Sequence, residues 1–343
     1  MSRQDKPLVI AHRGASALLP EHTLAAYARA IEDGADFIEP DLVLTRDGVL
    51  VARHEIELSR STDVSTHAEF ASRRTRKRID GETISGWFCN DFSLAEFRSL
   101  RAREPLPHLR SSAHDGRYAV PTIDEIVELA QAESDRRGRL IGIIPEIKNS
   151  TWFHLHGMDP EQAIVAALNR HAYLRRAPFG IQSFEVGNLK VLRKATQSHA
   201  NVFLVQLIGD DGQWPIDMQP AHDPASSYAA MITPTGLQDI AGYADVIATQ
   251  LRRIVPIDES SGLPGKPNRL VADAHAVGLQ VQAWTLRPEN HFLPRGLRCS
   301  ENPAQRCESG CMEEMRGLID AGVDGLFTDD PALARRLVEN HCR

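Results

Sequence analysis

His12, Arg13, His54 and the closely spaced carboxylates Glu39 and Asp41 all fall within the first 54 residues of this 343-residue chain. The apolar run before His12-Arg13-Gly14 suits a buried strand that delivers an imidazole and a guanidinium at its end. Phe37 to Val43 reads as a second strand. Glu39 and Asp41 stand two residues apart on it, so both carboxylates point to one face. Two acids that close on a buried face repel each other, and a bound cation is the usual relief. His54 follows a further apolar run, Val49 to Ala52. Glu146 ends another apolar stretch, and Lys148 lies two residues on, on the same strand face. Glu39, Asp41 and Glu146 are hard oxygen donors, which suit Ca²⁺ or Mg²⁺ rather than zinc. The plainer readings are that Glu146 is salt-bridged to Lys148 and that each histidine is a satisfied core residue.

These residues need strands to hold them. Eight short apolar runs qualify: Leu8–His12, Phe37–Val43, Leu140–Glu146, Phe179–Ser183, Val202–Leu207, Val246–Ala248, Gln280–Trp284 and Gly325–Phe327. Amphipathic helical patterns alternate with them, at Thr23–Asp33, Ile123–Arg137, Pro160–His171, Glu185–Thr196, Leu237–Tyr243, Leu270–Val277, Met312–Ala321 and Pro331–Asn340. Several of these end at a glycine (Gly34, Gly278, Gly322), as helix C-termini commonly do. Strand–helix alternation repeated eight times predicts an α/β fold, a parallel (β/α)8 TIM barrel, as one domain spanning 1–343. Barrel chemistry sits at the C-terminal ends of strands. His12, Glu39 and Asp41, Glu146 and Trp284 fall there on the first, second, third and seventh strands, a coincidence not built into the strand assignment.

Two insertions break the rhythm. Residues 55–120 separate the second strand from its helix and read as a small subdomain beside the barrel mouth, anchored by Trp87-Phe88. Arg287 to Gly310 is the second insertion and holds Cys299 and Cys307, with Cys311 just beyond. The cysteine spacing does not match a structural zinc site, so a loop disulfide among Cys299, Cys307 and Cys311 is expected. The five cysteines leave at least one thiol unpaired.

A net charge of −7 argues against a nucleic-acid or anionic-membrane binder. The basic run Arg73-Arg74-Thr75-Arg76-Lys77-Arg78 carries no interleaved aromatic platform and reads as a solvated helix face. No stretch approaches the ~20 apolar residues of a membrane span. His154-Leu155-His156 has a metal-site spacing but follows the third strand rather than ending the first. Gly209-Asp210-Asp211-Gly212 reads as a turn, since no spaced downstream acid completes a calcium loop.

Taken together, His12-Arg13-Gly14, Pro20-Glu21-His22-Thr23, Glu39-Pro40-Asp41, His54 and Pro145-Glu146-Ile147-Lys148 resemble, in order, the motifs of the glycerophosphodiester phosphodiesterase family. The resemblance runs on through Trp152-Phe153-His154, Gln182-Ser183-Phe184, Val205-Gln206-Leu207-Ile208, Trp284-Thr285 and Gly325-Leu326-Phe327-Thr328-Asp329. It covers nearly the whole chain, and two of those stretches look like the periplasmic bacterial branch. The resemblance implies metal-dependent cleavage of glycerophosphocholine, glycerophosphoethanolamine or glycerophosphoglycerol to sn-glycerol 3-phosphate and an alcohol. It makes His12 and His54 the acid/base pair, Glu39, Asp41 and Glu146 the ligands of one divalent cation, Ca²⁺ ahead of Mg²⁺, and Arg13 a phosphate grip. Lys148 would add positive charge, and Glu21 would orient Arg13 or a histidine, or merely cap the next helix. Phe184 and Trp284 would wall the glycerol side or pack in the core, and His22 receives no chemistry. The partner implied is a small glycerophosphodiester, on a monomer or homodimer with no membrane span. The branch favours a periplasmic or secreted protein with its leader removed, the alternative being cytoplasmic. Two rival functions stay open: an exo-acting teichoic-acid or lysophospholipid phosphodiesterase on the same barrel, and a barrel that binds without catalysis, which would not need the two histidines.

Overall fold

Eight parallel strands close into a barrel in this computed structural model, which describes residues 6–219 and 223–341. They are β1 (Leu8–His12), β2 (Phe37–Glu39 with Asp41–Leu44), β3 (Gly142–Ile143 with Glu146–Ile147), β4 (Phe179–Ser183), β5 (Val202–Ile208), β6 (Val246–Gln250), β7 (Gln280–Leu286) and β8 (Gly325–Thr328). Each pairs with the next, and β8 pairs with β1, with Leu8 opposite Gly325. The expected TIM barrel is therefore the fold. β2 and β3 are each interrupted where a single strand was expected. The breaks fall at Pro40 and at Ile144-Pro145, because proline has no N–H for the ladder.

Two apolar layers hold the barrel. Ile10, Phe37, Ile144, Phe203, Val205, Leu207, Ala248 and Phe327 fill its interior. Phe37 and Phe203 meet edge to face at 5.8 Å, and a Cβ at Gly142 would stand 2.3 Å from the Phe37 ring. The absence of a side chain there makes room for the aromatic pair. The second layer lies between the strands and the surrounding helices and includes Val9, Ile38, Ile181 and Leu204.

The helices start and stop where their sequences direct. Ile123–Arg137 opens with a reciprocal cap, in which the Thr122 hydroxyl accepts from the Glu125 N–H and the Glu125 carboxylate accepts from the Thr122 N–H. It ends at Gly138 with φ +64°. Thr23 caps Leu24–Glu32, and Asp159 caps Pro160–Arg170 with proline at its first position.

Residues 55–120 lie against the outer layer of the barrel. Ile56, Leu58, Phe70, Phe88, Phe92 and Phe97 join the same buried cluster as Leu42 and Val43. Phe88 is fully buried and the Trp87 indole donates to the Phe70 carbonyl, so the aromatic pair anchors this segment as expected. The basic run corrects the helix expectation. Arg73 ends a short 3-10 turn, and Thr75–Ile79 is a strand paired antiparallel with Glu82–Gly86. On this two-stranded ribbon Arg74, Thr75, Arg76 and Arg78 stay exposed, whereas Lys77 turns in to Asn90 and Asp91.

The loop disulfide is not formed. Cys89, Cys299, Cys307 and Cys311 are all free thiols, and Cys342 lies outside the described residues. Cys299 is exposed on the loop, and Cys311 is buried on the helix Glu308–Asp320. Cys299 and Cys307 nonetheless lie within thiol–thiol hydrogen-bond reach of each other.

Candidate active site

The turn after β1 explains why its sequence reads His-Arg-Gly. Arg13 is left-handed, with φ +60°, and its N–H donates to both the Glu39 carbonyl and Glu39 Oε2. Gly14 has φ +91°, and a Cβ there would stand 2.7 Å from the Ala26 carbonyl carbon. Only glycine fits that approach. The turn throws Arg13 across the barrel mouth. There its guanidinium pairs with Glu21 at 2.8 Å and Asp41 at 3.2 Å. Glu21 thus orients Arg13, the first of its expected roles.

Strand register assembles the acids. His12 stands opposite Glu39, Asp41 opposite Glu146, and Glu146 opposite Gln182. One carboxylate oxygen each from Glu39, Asp41 and Glu146 lies within 4.8 Å of the others, and all three residues are buried. Burial first, and then Asp41, push Glu39 well above the ordinary carboxylate range. Burial likewise carries Glu146 up to about 8 although Lys148 pairs with it at 2.9 Å. Asp41 goes the other way: burial would raise it, but Lys148, Arg13 and a hydrogen bond from His22 hold it well below. Three buried acids with this little compensation suit a divalent cation with oxygen ligands. Glu146 is both of the things foreseen for it, a member of the acid cluster and a partner of Lys148.

His12, Arg13, His54, Lys148, Gln182, Phe184, Trp284 and Arg287 surround these acids in a cleft of about 110 Å³. Burial, followed by Arg13, lowers both His12 and His54 to about 4, so both are neutral at pH 7. His12 Nδ1 lies 2.6 Å from Asp329 Oδ1, and His54 Nδ1 lies 2.9 Å from Glu55 Oε1. A carboxylate only accepts, so each neutral ring carries its proton on Nδ1 and keeps its Nε2 lone pair free. The Trp284 indole N–H has no partner among the described residues, and it lines the cleft at an irregularity of β7 between Ala283 and Leu286.

All ten residues singled out from sequence meet at this mouth or on its rim. Others were missed. His22 joins the shell behind the acids, with Nε2 2.9 Å from Asp41 Oδ2 and Nδ1 2.9 Å from the Tyr27 hydroxyl. Gln182 donates to Glu39 Oε1 at 3.1 Å. Asp329 receives His12, Arg110 at 2.6 Å and Arg287 at 2.9 Å, and Arg110 also pairs with Glu289. Asp329 and Gln182 end β8 and β4, so the strand-end rule reaches them. Arg110 sits in a loop far along the chain with no local signal.

A second acid–histidine group lies away from the mouth. His154, Asp159 and Glu161 also bring one donor atom each within 4.8 Å. Their lone pairs are engaged: Glu161 receives Ser150 and His154, and Asp159 caps a helix. His156 stacks on Trp152 at 3.9 Å instead of joining them. Gly209 to Gly212 is a turn, as expected.

Comparison with known proteins gives one consistent answer. Residues 12–333 match the model of the "Glycerophosphoryl diester phosphodiesterase family". An Arabidopsis thaliana protein, "Glycerophosphodiester phosphodiesterase GDPD6", is 34% identical over 337 residues, covering 94% of this chain and 84% of that protein. A "Glycerophosphodiester phosphodiesterase" of Haemophilus influenzae is 28% identical, with 96% and 88% covered. Among solved structures, a Silicibacter pomeroyi putative glycerophosphoryl diester phosphodiesterase superposes with a TM-score of 0.66 at 21% identity, covering 99% and 96% of the chains. An Oleispira antarctica phosphodiesterase, solved with the product sn-glycerol-3-phosphate, gives 0.62 at 20%, with 97% of each chain covered. At these identities the structural likeness speaks to the fold.

Proposed function

The chain belongs to the glycerophosphoryl diester phosphodiesterase family, and we propose that it splits glycerophosphodiesters into sn-glycerol 3-phosphate and an alcohol with the help of one divalent cation. The observation that carries this reading is the convergence of Glu39, Asp41 and Glu146 within 4.8 Å, in a cleft that also holds His12, Arg13, His54 and Lys148. The three acids would hold Ca²⁺ or Mg²⁺, and such an ion neutralises charge on a phosphoryl oxygen.

The chain's own groups supply the rest. Arg13 is locked by Glu21 and Asp41, so its planar fork meets a phosphoryl oxygen without first being ordered. Lys148 adds a second cation beside it. One histidine takes a proton from the attacking hydroxyl, and the other gives one to the departing alkoxide. An anionic diester between the rings raises their proton affinity from the low value they have alone. Phe184 and Trp284 meet edge to face at 6.0 Å and give the glycerol carbons an apolar wall. The free indole N–H offers one donor to a hydroxyl.

The test is release of sn-glycerol 3-phosphate from glycerophosphocholine and glycerophosphoethanolamine, with EDTA and then with Ca²⁺ or Mg²⁺ restored. Turnover that EDTA stops and one ion restores supports the reading. No turnover by folded, metal-supplemented protein refutes it.

A further inference from the structure

Phe184 separates the catalytic cleft from a larger cavity of about 460 Å³. On the cleft side its ring meets Trp284, and on the other it meets Tyr228, edge to face at 6.2 Å. Glu146, Lys148 and Phe184 line both spaces, so the two are contiguous. Beyond Phe184 the walls are Asp80, Glu185, Trp214 and Tyr228. The volume lies within the range of about 300–1,000 Å³ usual for small-molecule sites.

The charge of these walls is lopsided. Glu185 is buried and accepts from the Thr151 N–H at 2.9 Å and from its hydroxyl. The charged groups it feels are Asp217 and Asp80, both acids. Asp80, on an exposed turn, accepts from Asn149, and Lys148 is the cation that acts on it. Lys148 is itself paired with Glu146. Among the described residues neither Asp80 nor Glu185 has an ion-pair partner of its own, and both line a cavity walled by aromatic rings.

A third cavity, of about 270 Å³ on the far side of the histidines, differs. Each of its carboxylates has its own arginine: Glu21 has Arg13, Glu55 has Arg60, and Asp329 has Arg110 and Arg287. Nothing there is left to attract a cation.

We propose that the 460 Å³ cavity receives the alcohol half of the substrate and recognises an ammonium group on it, so that choline- and ethanolamine-type diesters are preferred to neutral ones. This inference rests on the phosphodiesterase reading above. A quaternary ammonium is drawn to aromatic faces and to unpaired carboxylates alike, while a neutral polyol gains from neither. The central cleft, of about 110 Å³, keeps the phosphate and glycerol.

The experiment compares kcat/KM of the metal-supplemented enzyme for glycerophosphocholine, glycerophosphoethanolamine and glycerophosphoglycerol. The expected preference for the two cationic diesters is about tenfold. D80N and E185Q should each shrink it through KM and leave glycerophosphoglycerol unchanged. Choline should inhibit competitively where its neutral carbon isostere, 3,3-dimethylbutanol, does not. Asp80 is exposed with φ +49°, a conformation asparagine tolerates, so D80N reports without disturbing the core. Equal kcat/KM for all three diesters, or a preference untouched by both variants, overturns the inference. If no diester is turned over, the activity reading fails instead. Tetramethylammonium titration of tryptophan fluorescence then decides: a saturable change lost in D80N and E185Q upholds the cation site, and a flat titration ends it.

Discussion

Buried carboxylates stand on both sides of β1 at the barrel mouth, and the two sides are compensated in opposite ways. Asp329 receives two arginines and a histidine, and although burial would raise its carboxyl, Arg110, Arg287 and His12 hold it well below the ordinary range. Glu39, Asp41 and Glu146 share Arg13 and Lys148, and two of the three are driven upward. A buried acid with all its partners in place has nothing left to bind and serves to hold its neighbours still. A buried set short of positive charge is where a cation from solution gains most. On the reading proposed above, this contrast would give positioning to the Asp329 side and metal binding to the other.

The strongest way to break this contrast is on the under-compensated side. E39Q or E146Q should weaken the binding of Ca²⁺ or Mg²⁺, read by calorimetry, by more than the ~10–100-fold typical of outer-shell partners. Activity should recover in part at high cation concentration. Unchanged affinity in both variants would remove the acids from the metal site. Next in size, H12A should cost about 10²–10⁴-fold in kcat, the usual worth of an acid/base group, and leave cation affinity intact. Loss of affinity instead would move His12 into the ligand set.

On the compensated side, D329N should lower kcat by about 10–100-fold through a misoriented His12, again without moving cation affinity. It should also lower Tm, since Arg110 and Arg287 lose a buried partner. An unaltered rate would reduce the network to a structural tie.

The smallest effect concerns Glu185. Burial, with help from Asp217 and Asp80, raises its carboxyl from 4.5 to about 7. A group that holds its proton more tightly when folded costs stability as pH climbs from its unfolded to its folded pKa. Wild type should therefore lose stability relative to E185Q between about pH 4.5 and 7, by at most on the order of 3 kcal/mol, with a flat difference above. Parallel Tm curves for the two proteins across that window would contradict it.

Much of the site could be read from sequence because barrels place chemistry by rule. His12, Glu39, Asp41, Glu146 and Trp284 sit at strand ends, and strand ends announce themselves as apolar runs stopped by charge. The Glu39–Asp41 spacing held even though Pro40 splits the strand, since a proline removes one ladder bond without changing the side-chain alternation. The basic run at Arg73 to Arg78 failed as a helix because charge says little about backbone when no apolar period accompanies it. Of the three loop cysteines, Cys299 and Cys307 come into thiol–thiol contact while Cys311 is buried on its helix, a division set by the path of the loop, which cysteine spacing does not encode.

The sequence by itself determined the barrel, the acid triad, the two histidines and the anchoring arginine, because local periodicity and strand-end position carry that information. Only the tertiary structure decided which charges are matched. Arg110 reaches Asp329 from 219 positions away, and Arg287 reaches it from a separate insertion. Asp80 is brought beside Glu185 from the tip of a hairpin in a different loop. Electrostatic compensation depends on distance in space, which the order of residues along a chain does not give.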